Sequence, residues 1–274
     1  MRISAGCQIT YDCPQPTSML LMVSPHASRL PDLIGPHSIT FAPPVEPRFY
    51  IDGFGNACTR IMAPAGRITI TTQFMIADSG EPETIHPEAW QRRVEELPND
   101  ILVYLLGSHY CDTDRLTNIA WELFGQTAPG HARVQAICDF VHNHISFGYE
   151  HARATRTASE AFMERRGVCR DYAHLAVALC RCVNIPARYC TGYLGDMGTP
   201  PPHGPMDFAA WFEVFLDDRW HCFDARNNTP RIGRILMARG RDATDVAIAT
   251  TFGPCTLSGF SVFCDEAAPG ASSG

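Results

Sequence analysis

The stretch Gly167-Val168-Cys169-Arg170-Asp171-Tyr172-Ala173-His174-Leu175 decides the predicted fold, because it places a cysteine where a loop becomes a helix. After this cysteine, apolar residues recur mostly at steps of three and four as far as Val183, which predicts one buried helix face. Gly167 allows the backbone to turn sharply into that helix. Cys169 is therefore predicted to lie in the first helical turn.

A cysteine in that position can act as a thiol nucleophile. Amide N–H groups in the first turn have no intrahelical acceptor, and the positive end of the helix dipole favours the thiolate over the thiol. The alternative is that Cys169, one of 12 cysteines, only fills space in the core. Chemistry is favoured by the partners that follow later in the chain.

Composition limits the classes of protein that this chain can represent. Its 274 residues, 45% of them hydrophobic, allow one large domain or two ordinary ones with a real core. A net charge of -7 argues against nucleic acid or an anionic membrane as the main partner. All 22 basic residues are arginine, so the chain offers no lysine side chain for cross-linking to its own copies.

The same composition bears on the compartment. The N-terminus lacks the apolar run of a signal peptide, and no stretch approaches the roughly 18 apolar residues of a membrane span. The cysteines show no regular framework, and a chain of this length folds without disulfides. We therefore expect reduced thiols and a cytoplasmic location.

Two units are expected along the chain. Residues 1–80 read as a small antiparallel β domain, with Pro and Gly between short apolar or alternating runs. The predicted strands are 17–23, 38–42, 48–51, 56–62 and 67–76. The polar stretch 79–98 is interpreted as a link to a second unit, 81–274.

The second unit is predicted to place helices before an antiparallel sheet. Amphipathic faces after Asp112 and after Val134, and a capping-box pattern at Thr157–Glu160, predict three helices before the Cys169 helix. Strands are predicted at 187–194, 208–216 and 220–223, and runs at 246–251 and 257–263 are expected to complete a sheet. Helices followed by an antiparallel sheet indicate the α+β class.

A thiol nucleophile requires a base, usually histidine, and an acid that orients the base. Asp224 is well placed as the acid, at the end of the strand Trp220–Phe223. The preceding strand should supply the base, but Asp207–Phe215 contains no histidine.

Several separate blocks resemble the bacterial transglutaminase-like family: Gly167–Asp171, Ala187–Tyr193, Ala210–Val214 and Phe223–Asp224. The resemblance implies a papain-like core with a Cys-His-Asp triad, preceded by a β-rich domain over residues 1 to about 80. It implies that Cys169 is the nucleophile and Asp224 the orienting acid. It also implies a histidine directly before Ala210, where this chain has Ala209.

Ala209 leaves three explanations open. Another residue serves as the base, the protein binds without catalysing, or the alanine is an engineered substitution. His203 is the candidate substitute base, because its loop lies six positions before Ala209. His174 is expected to be a satisfied core residue, and His221 is expected to point away from the face that carries Asp224.

The remaining site predictions concern ligands. Trp211, Tyr172, Asn227 and Arg226 are predicted to contact the substrate, and a guanidinium after Asp224 either faces solvent in salt bridges or binds a substrate carboxylate. No metal or cofactor is expected, since no metal-ligand spacing or nucleotide fingerprint is present. The expected partner is a peptide or amide, and a homo-oligomer is left open.

Two functions follow from these patterns. In the first, Cys169 attacks an amide carbonyl, an amine leaves, and the thioester passes to water or to an amine, as in a peptidase, amidase or transamidase. In the second, the chain is an inactive peptide- or partner-binding module on the same fold. A histidine within hydrogen-bond distance of the Cys169 sulfur favours the enzyme, and its absence favours the module.

Overall fold

The structure is a computed structural model that describes residues 1–201, 203–204 and 206–267. The strands and helices, in chain order, are β1 (Arg2–Cys13), β2 (Thr17–Leu21), β3 (Ser38–Ala42), β4 (Arg48–Ile51), β5 (Ala57–Ala63), β6 (Gly66–Ala77), α1 (Thr117–Phe124), α2 (His131–His144), β7 (Ser146–Phe147), α3 (Ala158–Glu164), β8 (Arg166–Gly167), α4 (Cys169–Cys182), β9 (Ala187–Tyr193), β10 (Ala209–Leu216), β11 (Arg219–Phe223), β12 (Ile235–Gly240), β13 (Ala249–Thr251) and β14 (Thr256–Glu266). Within the described ranges, every helix is too short or too polar to span a bilayer.

Two four-stranded antiparallel sheets form a β sandwich. Their strand orders are β14-β1-β6-β3 and β13-β2-β5-β4. Inward side chains of both sheets, such as Ile9, Ile70, Met19 and Ile61, meet in one buried core. The five strands predicted in this region are present, and the structure adds β1, whose alternating pattern the sequence analysis did not use.

The last two strands return to this sandwich. Strand β14 pairs with β1 from Ile3 opposite Glu266 to Asp12 opposite Thr256, and β13 pairs with β2. This corrects the division into 1–80 and 81–274, because the C-terminal runs complete the first unit rather than the second. The physical reason is edge protection, since without them β1 and β2 would expose unpaired N–H and C=O groups.

The second unit is an antiparallel sheet with helices on one face. Its strand order is β11-β10-β9-β12, and α4 packs across it with α1, α2 and α3 around α4. Leu175 and Leu179 of α4 are fully buried against Phe212 and Val214 of β10. Burial of each such side chain contributes roughly 1.5–3 kcal/mol. Helices and antiparallel sheets together confirm the α+β class.

The start of α4 is fixed by a buried ion pair. The Asp171 carboxylate accepts the N–H of Val168 at 2.8 Å, and Arg156 donates to the same oxygen at 2.9 Å. A Cβ at Gly167 would lie 2.5 Å from that oxygen, so the turn requires glycine. Helix α4 therefore begins at Cys169, as predicted.

The two units share apolar contacts close to the site. Tyr193 at the end of β9 and Ile235 and Met237 of β12 are buried in the sandwich core. Met206 and Phe208, which lead into β10, pack against the same core.

Candidate active site

Cys169 opens into a cavity of about 190 Å³. The thiol is half-buried, and its Sγ lies 3.9 Å from the carbonyl oxygen of Phe208. Four groups of side chains line the cavity with it: Phe147 and Tyr149; Leu194 and Asp196; Met206, Asp207, Phe208, Ala209 and Ala210; and Arg226, Asn227 and Arg231. The structure thus brings Cys169, Ala209, Arg226 and Asn227 together around one cavity.

The Cys169 thiol is not activated in this environment. Burial, followed by the negative charge of Asp207, raises its pKa to about 11, although the Ala210 N–H and the Arg226 charge oppose the rise. This differs from the expectation that the helix start favours the thiolate. The physical reason is that desolvation of an anion outweighs the helix dipole, which contributes about 0.3–1 kcal/mol.

No histidine lines this cavity among the described residues. His203, the candidate substitute base, is exposed, and its Nδ1 lies 3.5 Å from an Asp196 carboxylate oxygen. The structure therefore directs His203 towards Asp196 rather than towards the thiol. Ala209 stands at the start of β10, where the resemblance implied the base.

His174 and His221, the other two histidines considered as bases, do not line the cavity. His174 is fully buried, is stacked on Tyr110, and accepts the N–H of Ala243 on Nε2 at 3.1 Å. It is a core residue, as predicted, but it is only half satisfied, because its buried Nδ1 has no hydrogen-bond partner among the described residues. His221 is buried with its Nε2 3.2 Å from the Leu216 oxygen, whereas its neighbour Cys222 is exposed. His221 and Cys222 therefore lie on opposite faces of β11.

Asp224 is held by four hydrogen bonds. One carboxylate oxygen accepts the backbone N–H groups of Arg226 at 3.0 Å and Asn227 at 2.9 Å. The other accepts the Asn227 amide at 2.7 Å and the Arg234 guanidinium at 3.0 Å. Burial alone would raise the Asp224 pKa, but Arg234 and Asn227 outweigh it and hold the pKa below its usual range. A carboxylate offers about four lone-pair positions, so Asp224 is fully occupied.

Asn227 connects Asp224 to the cavity. Its amide oxygen accepts hydrogen bonds from Arg226 at 3.1 Å and from Arg231 at 3.0 Å. Arg231 also pairs with Asp196. The Arg226 guanidinium lies 4.1 Å over the Phe147 ring, and no described carboxylate forms an ion pair with it. Arg226 is therefore a cation in the cavity wall that can donate hydrogen bonds to a ligand oxygen.

Two predicted substrate contacts do not reach the cavity. Tyr172 is buried, and its hydroxyl donates to the carbonyl oxygen of Ile145. Trp211 is also buried, and the Arg234 guanidinium covers its ring at 4.7 Å. Both are therefore core residues that do not line the Cys169 cavity.

The sequence analysis missed Asp207 and the aromatic pair Phe147 and Tyr149. The pair lies between α2 and α3, with Phe147 at the end of β7 and Tyr149 two positions later, and the only sequence signal for it is an aromatic residue on either side of Gly148. Across the described ranges, no three His, Cys, Asp or Glu side chains are grouped so that they could hold a metal ion.

Comparison with known proteins agrees with this geometry. Residues 118–225, which include Cys169 and Asp224, match the model of the transglutaminase-like superfamily. A crystal structure of a candidate cysteine protease from Cytophaga hutchinsonii superposes with a TM-score of 0.83 at 29% identity, over 99% of this chain and 92% of that one.

Two uncharacterized mycobacterial proteins are also similar. One from Mycobacterium tuberculosis is 27% identical over 236 residues, covering 77% of this chain and 73% of the relative. One from Mycobacterium leprae is 23% identical over 208 residues, covering 72% and 73%. The family match therefore spans the helix start, strands β9 to β11 and the acid, so that residues 118–225 are similar to the transglutaminase-like superfamily.

Proposed function

We propose that this chain binds peptide or amide ligands in the Cys169 cavity and lacks the turnover of a complete Cys-His-Asp site. The observation that carries the proposal is the lining of the cavity, where Ala209 occupies the position of the expected base and no described lining residue is a histidine. Of the two functions left open by the sequence, the inactive binding module is favoured over the amide hydrolase or transamidase.

The state of the thiol supports this choice. With its pKa raised to about 11, Cys169 is almost entirely a thiol rather than a thiolate at pH 7. A neighbouring imidazole would change this by accepting the proton and stabilising the thiolate as an ion pair. Alanine provides neither effect.

The state of Asp224 supports it independently. In a Cys-His-Asp site the carboxylate accepts a hydrogen bond from the histidine. Here both carboxylate oxygens already accept two hydrogen bonds each. The Asp224 carboxylate is thus fully hydrogen-bonded, chiefly by Asn227 and Arg234, and has no lone pair free to orient a base.

The cavity still has the features of a ligand site. Its volume of about 190 Å³ is below the roughly 300–1,000 Å³ of pockets for drug-sized molecules, which suits one side chain or one chain end. Arg226 offers donors for a carboxylate or carbonyl oxygen, and Phe147 and Tyr149 offer aromatic surface. A short peptide with a terminal carboxylate or an amide side chain fits this combination.

A binding assay tests the proposal directly. Calorimetric titration with glutamine-containing dipeptides should show binding to the wild type and to Cys169→Ala, and binding at least tenfold weaker to Arg226→Ala. Arg219→Ala, at an exposed position of β11, is the matched control and should bind as the wild type. In parallel, hydrolysis of an activated amide by the wild type should be no faster than by Cys169→Ala. Wild-type turnover a hundredfold above Cys169→Ala would restore the enzyme hypothesis.

One observation keeps slow hydrolysis as a second candidate. Asp207 lines the same cavity, and its negative charge raises the pKa of the Cys169 thiol more than any other charge does. Burial also raises the pKa of Asp207 itself, which suits a carboxylate that acts as a base. Asp207→Asn should lower the Cys169 pKa by removing a negative charge. If turnover nevertheless falls in this variant, Asp207 acts as a base. If turnover rises, Asp207 only opposes the thiolate.

A cytoplasmic location remains part of this proposal. It is supported by the twelve free thiols, which reducing compartments preserve.

A further inference from the structure

Two cysteines from opposite ends of the chain meet at one corner of the β sandwich. Cys13 is the last residue of β1, and Cys255 directly precedes β14. Their sulfur atoms lie 2.7 Å apart, although 242 positions separate them in sequence. We propose that Cys13 and Cys255 are a reversible disulfide site that closes the C-terminal strand onto the N-terminal one.

Strand register supports the formation of this bond. Asp12 faces Thr256 in the antiparallel ladder, so the next pair beyond it is Cys13 and Cys255. Side chains directly opposite each other in such a ladder have Cβ atoms about 4.5–5.5 Å apart, and disulfides require about 3.5–4.5 Å. The Cβ atoms of Cys13 and Cys255 therefore need to approach by only about 1 Å, at the end of a strand, for the disulfide to form.

This pair differs from the other ten cysteines. All twelve lie in the described part of the chain, and within it no other two sulfurs are in hydrogen-bonding contact. Cys13 is buried, whereas Cys255 is partly accessible to solvent. A small oxidant can thus reach Cys255 first and Cys13 only through it.

The chemistry is a thiol–disulfide exchange with a low-molecular-weight disulfide as oxidant. The Cys255 thiolate attacks one sulfur of the oxidant, and the first small thiol leaves with its electron pair and takes up a proton. The Cys13 thiolate then attacks the Cys255 sulfur, breaks the mixed disulfide and releases the second small thiol. The protein loses two hydrogen atoms and the oxidant is reduced to two thiols.

The strand held by this bond supports the Cys169 cavity. Phe260 of β14 packs edge-on against Phe208 with ring centroids 5.7 Å apart, and the Phe208 carbonyl contacts the Cys169 sulfur. Closing a loop of this length restricts the unfolded chain strongly, so the oxidised protein should be more stable than the reduced one. This inference is independent of the proposed function.

The full-length chain tests the site. Wild type, Cys13→Ser, Cys255→Ser and the control Cys222→Ser are incubated with oxidised or reduced glutathione, alkylated, and analysed by non-reducing electrophoresis and peptide mapping. Wild type and Cys222→Ser should lose two hydrogens, migrate faster, and yield a peptide pair linked through Cys13 and Cys255. Both Cys13→Ser and Cys255→Ser should lack that pair.

Thermal unfolding provides a second measurement. Oxidation should raise the melting temperature of the wild type by about 5 °C or more and leave that of Cys255→Ser unchanged. Burial and the adjacent sulfur raise the pKa of Cys13 to about 12, so closure should also accelerate as the pH rises. The proposal is overturned if Cys255 only accumulates a glutathione adduct, or if the linked peptides join other cysteines.

Discussion

A histidine at position 209 should produce only part of the activity of a complete triad. The reason is that the Asn227 amide already donates to the Asp224 carboxylate that would orient the histidine. Ala209 and Trp211 lie on the same face of β10, and the Arg234 that covers Trp211 also binds Asp224. A histidine at 209 would therefore lie on the side of β10 where Arg234 binds Asp224, and position 209 also lines the Cys169 cavity. Its second nitrogen must then compete with the Asn227 amide, which lies 2.7 Å from the Asp224 carboxylate.

The size of the effect follows from these contacts. A general base contributes about 10²–10⁴-fold in rate. Displacing a hydrogen bond to a charged group costs about 1.5–3 kcal/mol, or roughly one to two powers of ten. We expect Ala209→His to raise turnover by about 10–10²-fold, and Ala209→His combined with Asn227→Ala by about 10²–10⁴-fold.

The assay is hydrolysis of a p-nitroanilide or activated ester between pH 5 and 9. Active variants should show a new ionisation near pH 6.5, the ordinary pKa of histidine. Asn227→Ala alone should not increase turnover, and Cys169→Ala in the double variant should abolish it. Melting temperatures establish that each variant is folded. A folded double variant no faster than Ala209→His would refute the idea that Asn227 blocks the acid.

Three further outcomes are expected. Cys169 should alkylate slowly with iodoacetamide at neutral pH, with a midpoint near its pKa of about 11, and Asp207→Asn should lower that midpoint; mass-spectrometric mapping that finds Cys169 among the fastest thiols at pH 7 would contradict this. In denaturant titrations, Arg156→Ala should destabilise the protein by about 3 kcal/mol, because it removes the guanidinium nearest to the buried Asp171 and leaves that carboxylate only the more distant Arg170. Arg153→Ala, which breaks exposed pairs, should cost about 1 kcal/mol or less. Burial lowers the pKa of His174 to about 3, so between pH 6.5 and 3 the unfolded state binds more protons than the folded state, and the free energy of unfolding should fall as the pH falls. A folded His174→Gln variant should lose stability less steeply with falling pH, and an unchanged slope would exclude His174 as its source.

The sequence by itself determined the local elements of this protein. Apolar steps of three and four residues, Gly167 and the capping box at Thr157 predicted α4 and α3, because helix periodicity and helix ends depend on neighbouring residues. The order of helices and strands predicted the α+β class for the same reason. Cys169 and Asp224 were also predicted from sequence, from a helix start, a strand end and blocks that resemble a known family, and Arg226 and Asn227 were predicted because they follow Asp224.

Only the tertiary structure decided how distant segments meet. Strand β14 lies beside β1 rather than in the second sheet, because protection of a sheet edge depends on which edges remain open after folding. The Cys169 pKa is raised because burial depends on every element that covers the thiol, including the distant loop with Tyr149 and the carboxylate of Asp207. The sequence could place a nucleophile at a helix start, but solvent exclusion from that thiol is a property of the packed molecule.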